Sequence, residues 1–371
     1  MTTKLRHFIR LSVLLLPLML ASAAELPTYF EQDVAASDSL RAEQARELDA
    51  YIVSQKQDRA RLRSLFKPDY RSLADFTAST QPLRKAFAAS MGYPPPGPVT
   101  GDPPRFDALG EDAIGTYFRA SFPVVGGIRA EGIYIVPKGA RGKVPLVIAM
   151  HGGGGSPELA LFHGGGNYHD MVRGGVKNGY AVFAPQHLYR APGFPADVRN
   201  SMDQRLRLVG TSLTAIEIAK ISASLDVLLK RPEIDPGRVA MVGLSYGGYY
   251  ALVTAALDAR IKVVVSSGYF GIQEGRYGVD ELSVPSDFQF PDRFALFRDP
   301  DIAALICPRA LEVQAGDHDD DEHREPGKQL IGEVSKHYSA LGISKQFRYV
   351  IFAGGHDFDD ASAWEFVREH L

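Results

Sequence analysis

One stretch restricts the possible folds of this chain more than any other: Val239-Ala240-Met241-Val242-Gly243-Leu244-Ser245-Tyr246-Gly247-Gly248-Tyr249-Tyr250-Ala251-Leu252. A β-branched, apolar run enters Gly-x-Ser-x-Gly and leaves it directly into helix formers. That order predicts a strand, a very sharp turn and a helix, with Ser245 at the apex, the form called a nucleophile elbow. A serine hydroxyl reacts only when a base reaches it and donors stabilise the oxyanion it creates, so the turn has to push Oγ into a cleft. Gly243 and Gly247 flank the serine where strand and helix pack too closely for a Cβ.

The N-terminus reads as a separate segment. Lys4, Arg6 and Arg10 form a basic head, Leu11 to Leu20 is an apolar run broken by Ser12 and Pro17, and Ala21-Ser22-Ala23 supplies small residues for cleavage. About ten apolar residues are too few for a permanent bilayer span, so residues 1–24 are expected to be a cleavable signal peptide and the mature chain secreted or periplasmic. No second hydrophobic stretch of spanning length follows, so no integral membrane association is expected after cleavage. Losing the leader removes three cations and no carboxylate, moving the formal charge from −3 to about −6. Lys and Arg are dispersed, which gives no nucleic-acid footprint. The single cysteine, Cys307, excludes an internal disulfide and reads as a buried, inert thiol beside a strand.

Residues 25–100 are expected to form a helical extension. Leu40, Ala45, Leu48 and Ile52 suggest one amphipathic helix and Leu83 to Met91 a second, before Pro94-Pro95-Pro96-Gly97-Pro98 stops the pattern. Residues 101–371 then alternate strands with helices. Thr116 to Val125 and Ile133 to Pro137 read as an antiparallel pair turning at Gly126-Gly127. Val144 to Met150, Tyr180 to Ala184, the elbow strand, Ile261 to Ser266, Ala310 to Val313 and Phe347 to Phe352 read as buried strands. A helix is expected from about Thr211 to Arg231. The fold class is therefore α/β, with a mostly parallel central sheet flanked by helices and a helical N-terminal extension. Gln186 to about Leu208 and Gly271 to about Pro300 fit no element and follow strand ends, where pocket walls and lids are built.

A serine nucleophile needs a histidine base and a carboxylate to orient it, and in elbow proteins both follow the serine. Of the downstream histidines, His356 stands directly after a strand and beside Gly354-Gly355, so it is the expected base. The acid is expected about three residues past Gly316, at Asp319, with Asp317 and Asp320 as alternatives. His318 and His323 among these acids resemble metal ligands, but a run of hydrophilic groups reads more simply as a solvated loop, and neither metal nor cofactor is expected. His151-Gly152-Gly153-Gly154-Gly155 after a buried strand is the candidate anion hole, with the N–H of Gly153 and that of Tyr246 as donors. It lacks the Gly-Lys-Ser/Thr ending of a phosphate cradle. His151 is expected to brace this loop; His163-Gly164-Gly165-Gly166 and His169 lie in an insertion open to loop packing or substrate contact.

His151-Gly152-Gly153, Gly243-Leu244-Ser245-Tyr246-Gly247-Gly248, Gly316-x-x-Asp319 and Gly355-His356, in this order, resemble the α/β-hydrolase superfamily over roughly residues 115–371. Asp235-Pro236-Gly237-Arg238-Val239 and Cys307-Pro308-Arg309-Ala310-Leu311 are similar to the branch containing acetyl xylan esterases and dienelactone hydrolases. Ser245-Tyr246-Gly247-Gly248-Tyr249 also resembles prolyl oligopeptidase-type peptidases, which normally carry a large β-propeller ahead of the catalytic domain; here fewer than about 100 residues precede it. Dienelactone hydrolases use a cysteine nucleophile, so Ser245 favours ester hydrolysis. The resemblance implies a serine carboxylic ester hydrolase for small-molecule or carbohydrate esters. A peptidase or amidase, and a catalytically silent binding protein, are the competing expectations.

Overall fold

Period-two alternation along the buried strands decides how the sheet is covered. In Val144–Met150 every residue is buried, with Leu146, Ile148 and Met150 on one face and Val147 and Ala149 on the other. A strand of this kind is stable only with helices on both sides. The computed structural model describes residues 37–162, 166–188, 195–271 and 286–371. The expected leader, residues 1–24, lies outside the described residues.

Among the described residues, nine strands form one sheet. They are β1 (Arg105–Glu111), β2 (Gly115–Pro123), β3 (Arg129–Pro137), β4 (Val144–Met150), β5 (Ala181–Pro185), β6 (Ile234–Leu244), β7 (Val263–Ser267), β8 (Ala310–Gly316) and β9 (Phe347–Phe352). Their spatial order is β1-β2-β3-β5-β4-β6-β7-β8-β9. The β1–β2, β2–β3 and β3–β5 pairs are antiparallel, and every later pair is parallel. The α/β expectation therefore holds, including the turn at Gly126-Gly127. Sequence reasoning missed β1, whose residues are nearly all exposed and whose pairing is interrupted between Ala108 and Gly110, so no alternating pattern marks it.

The helices before the sheet are α1 (Asp38–Gln57), α2 (Ala60–Leu65), α3 (Leu73–Ser79) and α4 (Gln81–Met91). Within the sheet region follow α5 (Pro157–Phe162), α6 (Arg173–Lys177), α7 (Ala196–Leu208), α8 (Leu213–Leu228), α9 (Tyr246–Leu257), α10 (Arg293–Leu296), α11 (Asp299–Ala304), α12 (Asp321–Ala340) and α13 (Asp360–His370). One face of the sheet packs on α8 and α9 through Ile218, Ile221, Leu225, Tyr250 and Val253. The other packs on α6 and α13 through Val176, Trp364 and Phe366. Cys307 is buried and unlinked, and burial pushes its thiol up to about 12, which agrees with an inert role.

The described residues divide between Ala50 and Tyr51 into two units. The α1 helix forms as expected, but Leu40, Leu48 and Ile52 are exposed, so its apolar positions do not mark a core face. In α4, Leu83, Phe87 and Met91 fall on one stripe and are buried with the main core; Phe87 sits 5.6 Å from Phe290 and 5.2 Å from Phe297, ring to ring. Gly92 ends α4 at φ +67°, where a Cβ would lie 2.3 Å from the Gly210 carbonyl oxygen. From Leu62 on, the helical extension thus packs on the same core as the sheet. Gln186 to Leu208, expected to be irregular, contains the helix α7.

Near the far end of α12, the Tyr70 hydroxyl is 2.8 Å from His337 Nδ1, and the rings of Phe66 and Phe76 each lie 5.6 Å from the imidazole. Burial lowers the His337 pKa from 6.5 to about 4. His337 is therefore neutral when folded but takes a proton when unfolded between those values, so stability is full above 6.5 and falls as pH drops toward 4. Thermal denaturation across this range is expected to show a falling melting temperature. In His337→Gln the pH dependence should be shallower, and the variant less stable at neutral pH by about 1–3 kcal/mol, because the tyrosine loses its ring partner.

Candidate active site

The parallel register lines up the strand ends. Met150 pairs with Gly243, Leu244 with Ser267, Ser267 with Gln314 and Gly316 with Phe352. The loops that follow β4, β6, β7, β8 and β9 consequently leave the sheet along one edge, which in open α/β sheets is where ligands bind.

Ser245 links β6 to α9 at φ 58° and ψ −117°, a conformation rarely held by a non-glycine residue. Its N–H donates to the Ser267 carbonyl at 2.7 Å, which ties the turn to β7. The flanking glycines are required by contact. A Cβ on Gly247 would sit 2.1 Å from the Met150 carbonyl oxygen, and one on Gly243 would sit 2.3 Å from the carbonyl oxygen of Gly247.

His356 Nδ1 lies 2.8 Å from Asp319 Oδ2. A carboxylate only accepts, so Nδ1 carries the proton and Nε2 keeps its lone pair. Asp319 is almost fully buried, and its other oxygen accepts the Asp320 N–H at 2.8 Å. Asp317 is engaged elsewhere, accepting the Gly354 N–H at 3.1 Å and pairing with His318 at 2.8 Å, and Asp320 is the N-cap residue of α12. Of the three candidate acids, Asp319 is therefore the one brought to His356. The ring stands over Gly268, where a Cβ would be 3.2 Å from His356 Cε1 and 3.3 Å from Leu244 Cδ1, placing the imidazole beside the elbow. The loops carrying acid and base touch, since a Cβ on Gly316 would be 2.0 Å from the Gly355 carbonyl oxygen.

The loop after β4 meets the elbow from the other side. A Cβ on Gly152 would be 3.5 Å from the Ser245 Cβ. The Gly152 N–H donates to the Tyr168 hydroxyl at 3.0 Å, whereas among the described residues the N–H of Gly153 has no acceptor. Tyr246 opens α9, and N–H groups of a first helical turn project beyond the helix end, carrying partial positive charge. His151 braces this loop as expected: Nδ1 donates to the Gly152 carbonyl at 2.9 Å, and burial lowers its pKa from 6.5 to about 4, which keeps it neutral.

Two residues of this region, His187 and Asn167, are not singled out by the sequence, whereas for His169 it leaves both loop packing and substrate contact open. His187 stacks on His151 at 3.8 Å between ring centroids and bonds the His151 carbonyl. Its place just past β5 was the available signal. Asn167 donates to the His356 carbonyl at 3.2 Å, and His169 Nε2 lies 3.7 Å from Asp357 Oδ1, so the insertion packs on the histidine loop. Residues His163 to Gly165, 189–194 and 272–285, and the side chain of His323, lie outside the described residues. Among the described residues, no three potential metal ligands converge.

Residues 131–288 match the Dienelactone hydrolase family. That span takes in the glycine loop and the elbow and ends before Asp319 and His356. YtaP of Bacillus subtilis is 27% identical over 241 residues, which cover 62% of this chain and 78% of the relative. Among solved structures, Methylesterase BT1017 superposes with a TM-score of 0.66 at 17% identity, covering 85% of this chain and 68% of the other. A glucuronoyl esterase from Solibacter usitatus superposes with a TM-score of 0.59 at 14% identity, covering 81% and 94%. At these identities the structural likeness establishes a common fold. The sequence match, which includes the elbow at Ser245, likens residues 131–288 to the dienelactone hydrolase family.

Proposed function

We propose that the chain is a serine carboxylic ester hydrolase working through an acyl-enzyme, with Ser245, His356 and Asp319 as its triad. The observation that carries this is the 2.8 Å contact between His356 Nδ1 and Asp319 Oδ2 at the edge where Ser245 stands in a strained elbow. Ser245 Oγ attacks the ester carbonyl carbon while His356 Nε2 takes its proton, and Asp319 stabilises the imidazolium. The oxyanion of the tetrahedral intermediate is held by the N–H groups of Tyr246 and Gly153. Collapse breaks the bond to the alkoxy oxygen, which leaves with the proton from His356. Water then gives its proton to the same nitrogen, attacks the acyl-serine and releases the carboxylic acid and the free serine.

No step calls for a metal or an organic cofactor. The neighbour named as glucuronoyl esterase, together with the leader-like N-terminus, supports a carbohydrate-linked small ester as the substrate class, and the likeness to an acetyl xylan esterase supports acetyl as its acyl group. The same leader supports export and cleavage near residue 24, with the mature enzyme secreted or periplasmic.

In steady-state assays on p-nitrophenyl acetate, Ser245→Ala and His356→Ala are expected to lower kcat by about 10⁴-fold or more, and Asp319→Asn by about 10⁴-fold, with little change in KM. Matched acetyl anilides should turn over far more slowly than the esters. Full activity in Ser245→Ala, or anilides turned over as fast as esters, contradicts the proposal. Export is checked by the intact mass of protein from the periplasm or medium, which should correspond to a chain starting close to residue 25; a mass retaining Met1 contradicts it.

A further inference from the structure

Tyr246 is placed by more than its helix. Its ring is wedged among His187, Tyr250 and Phe288, at centroid distances of 4.7, 5.0 and 5.6 Å. Its hydroxyl donates to Asp287 Oδ2 at 2.6 Å and accepts from Arg199 at 2.6 Å. Arg199 and Asp287 form an ion pair with both side chains at 1% exposure or less. Arg199 comes from α7 and Asp287 from the turn Ser286–Phe288, the two excursions expected from the sequence to wall the pocket.

Other bonds converge on the same turn. The Asp287 carbonyl accepts from Thr214 at 2.7 Å and from the Tyr249 hydroxyl at 3.1 Å. The Ser286 N–H donates to Asn200, and Arg207 donates to the Ser286 carbonyl. Arg199 Nε also reaches the Leu188 carbonyl at 3.4 Å, at the start of the first excursion. Among the described residues, Asp287 Oδ1 has no hydrogen-bond partner, so Arg199 carries much of the compensation for a buried carboxylate.

A fully buried ion pair is a poor way to gain stability, because desolvation offsets most of its Coulombic attraction and an apolar replacement of similar volume is often as stable. What such a pair supplies well is directional constraint. Here the constraint falls on the residue after the nucleophile, whose N–H is assigned above to the oxyanion. We propose that Arg199 and Asp287 are positioning residues that hold Tyr246, and through it the oxyanion-binding N–H, in register with Ser245, and that they couple both pocket walls to that register. This rests on the ester hydrolase assignment of Ser245.

The test uses the full mature protein. In Arg199→Met combined with Asp287→Leu, the pair is replaced by apolar side chains, which avoids a lone buried charge. Tyr246→Phe removes only the hydroxyl and serves if the double variant does not fold. For each variant the melting temperature, kcat and KM on p-nitrophenyl acetate, and Ki for an aryl trifluoromethyl ketone that forms a tetrahedral adduct are measured. Folded variants are expected to keep KM within about threefold, to lose about 10- to 100-fold in kcat, and to lose affinity for the ketone by a similar factor. A merely structural role would change the melting temperature while leaving kcat per folded molecule and Ki unchanged, and that result overturns the proposal. Labelling of the wild type by a fluorophosphonate, abolished in Ser245→Ala, separates the two claims. If labelling is absent, the ester hydrolase assignment falls and this proposal with it; if labelling is present and the kinetics are unmoved, only the positioning role falls.

Discussion

One of the tightest backbone approaches among the described residues is also the one on which the candidate chemistry depends. The first turn of α9 rests so near the end of β4 that no side chain fits at Gly247, and the elbow closes back on itself so tightly that none fits at Gly243. This double contact forces Ser245 to φ 58° and lifts it above the sheet edge. It also brings the His151–Gly155 loop against the serine, because that loop begins where β4 meets α9. An alanine at either glycine would have to open the gap between strand and helix, separating the candidate nucleophile and the candidate anion hole together. The strain is held by a large apolar core on both faces of the sheet.

The parts of the fold that were legible in the sequence are those where burial and periodicity agree. β4 and β6 were readable because short apolar runs flanked by glycine or proline leave few alternatives; β9 was readable as a strand, but the expectation that it is buried fails, since its residues are half-buried and Ile351 is exposed. His356 and the Gly316 turn were readable for a related reason, since both follow such strands. Asp319 could not be separated from Asp317 and Asp320 on spacing alone. Its selection comes from the contact between the two loops, which lets the carboxylate at 319 face the imidazole while that at 317 binds the Gly354 amide.

The α7 helix shows why the rest was not legible. It buries Arg199 and Asp203 and exposes Val198 and Leu208, inverting the pattern from which amphipathic helices are recognised. α1 fails in the complementary way: its apolar stripe is present, but Leu40, Leu48 and Ile52 stay exposed. In α7 the deciding term is which polar groups find partners, and those of Arg199 lie far away in sequence. Arg199 meets Asp287 across nearly 90 residues and Tyr246 across 47. The residues proposed to shape the site beyond the candidate triad are thus buried charges, while its motif residues are glycines and strand-end polar groups.

The central claim is that Ser245 carries the acyl group between two half-reactions. Acid-quenching the wild-type enzyme during turnover of p-nitrophenyl acetate, digesting it and weighing the peptides tests this directly. The account predicts one acetyl group on the peptide bearing Ser245, formed with a burst of p-nitrophenol and missing from Ser245→Ala. Turnover at the same rate with no acetylated Ser245, or with the acetyl group on another residue, would contradict it.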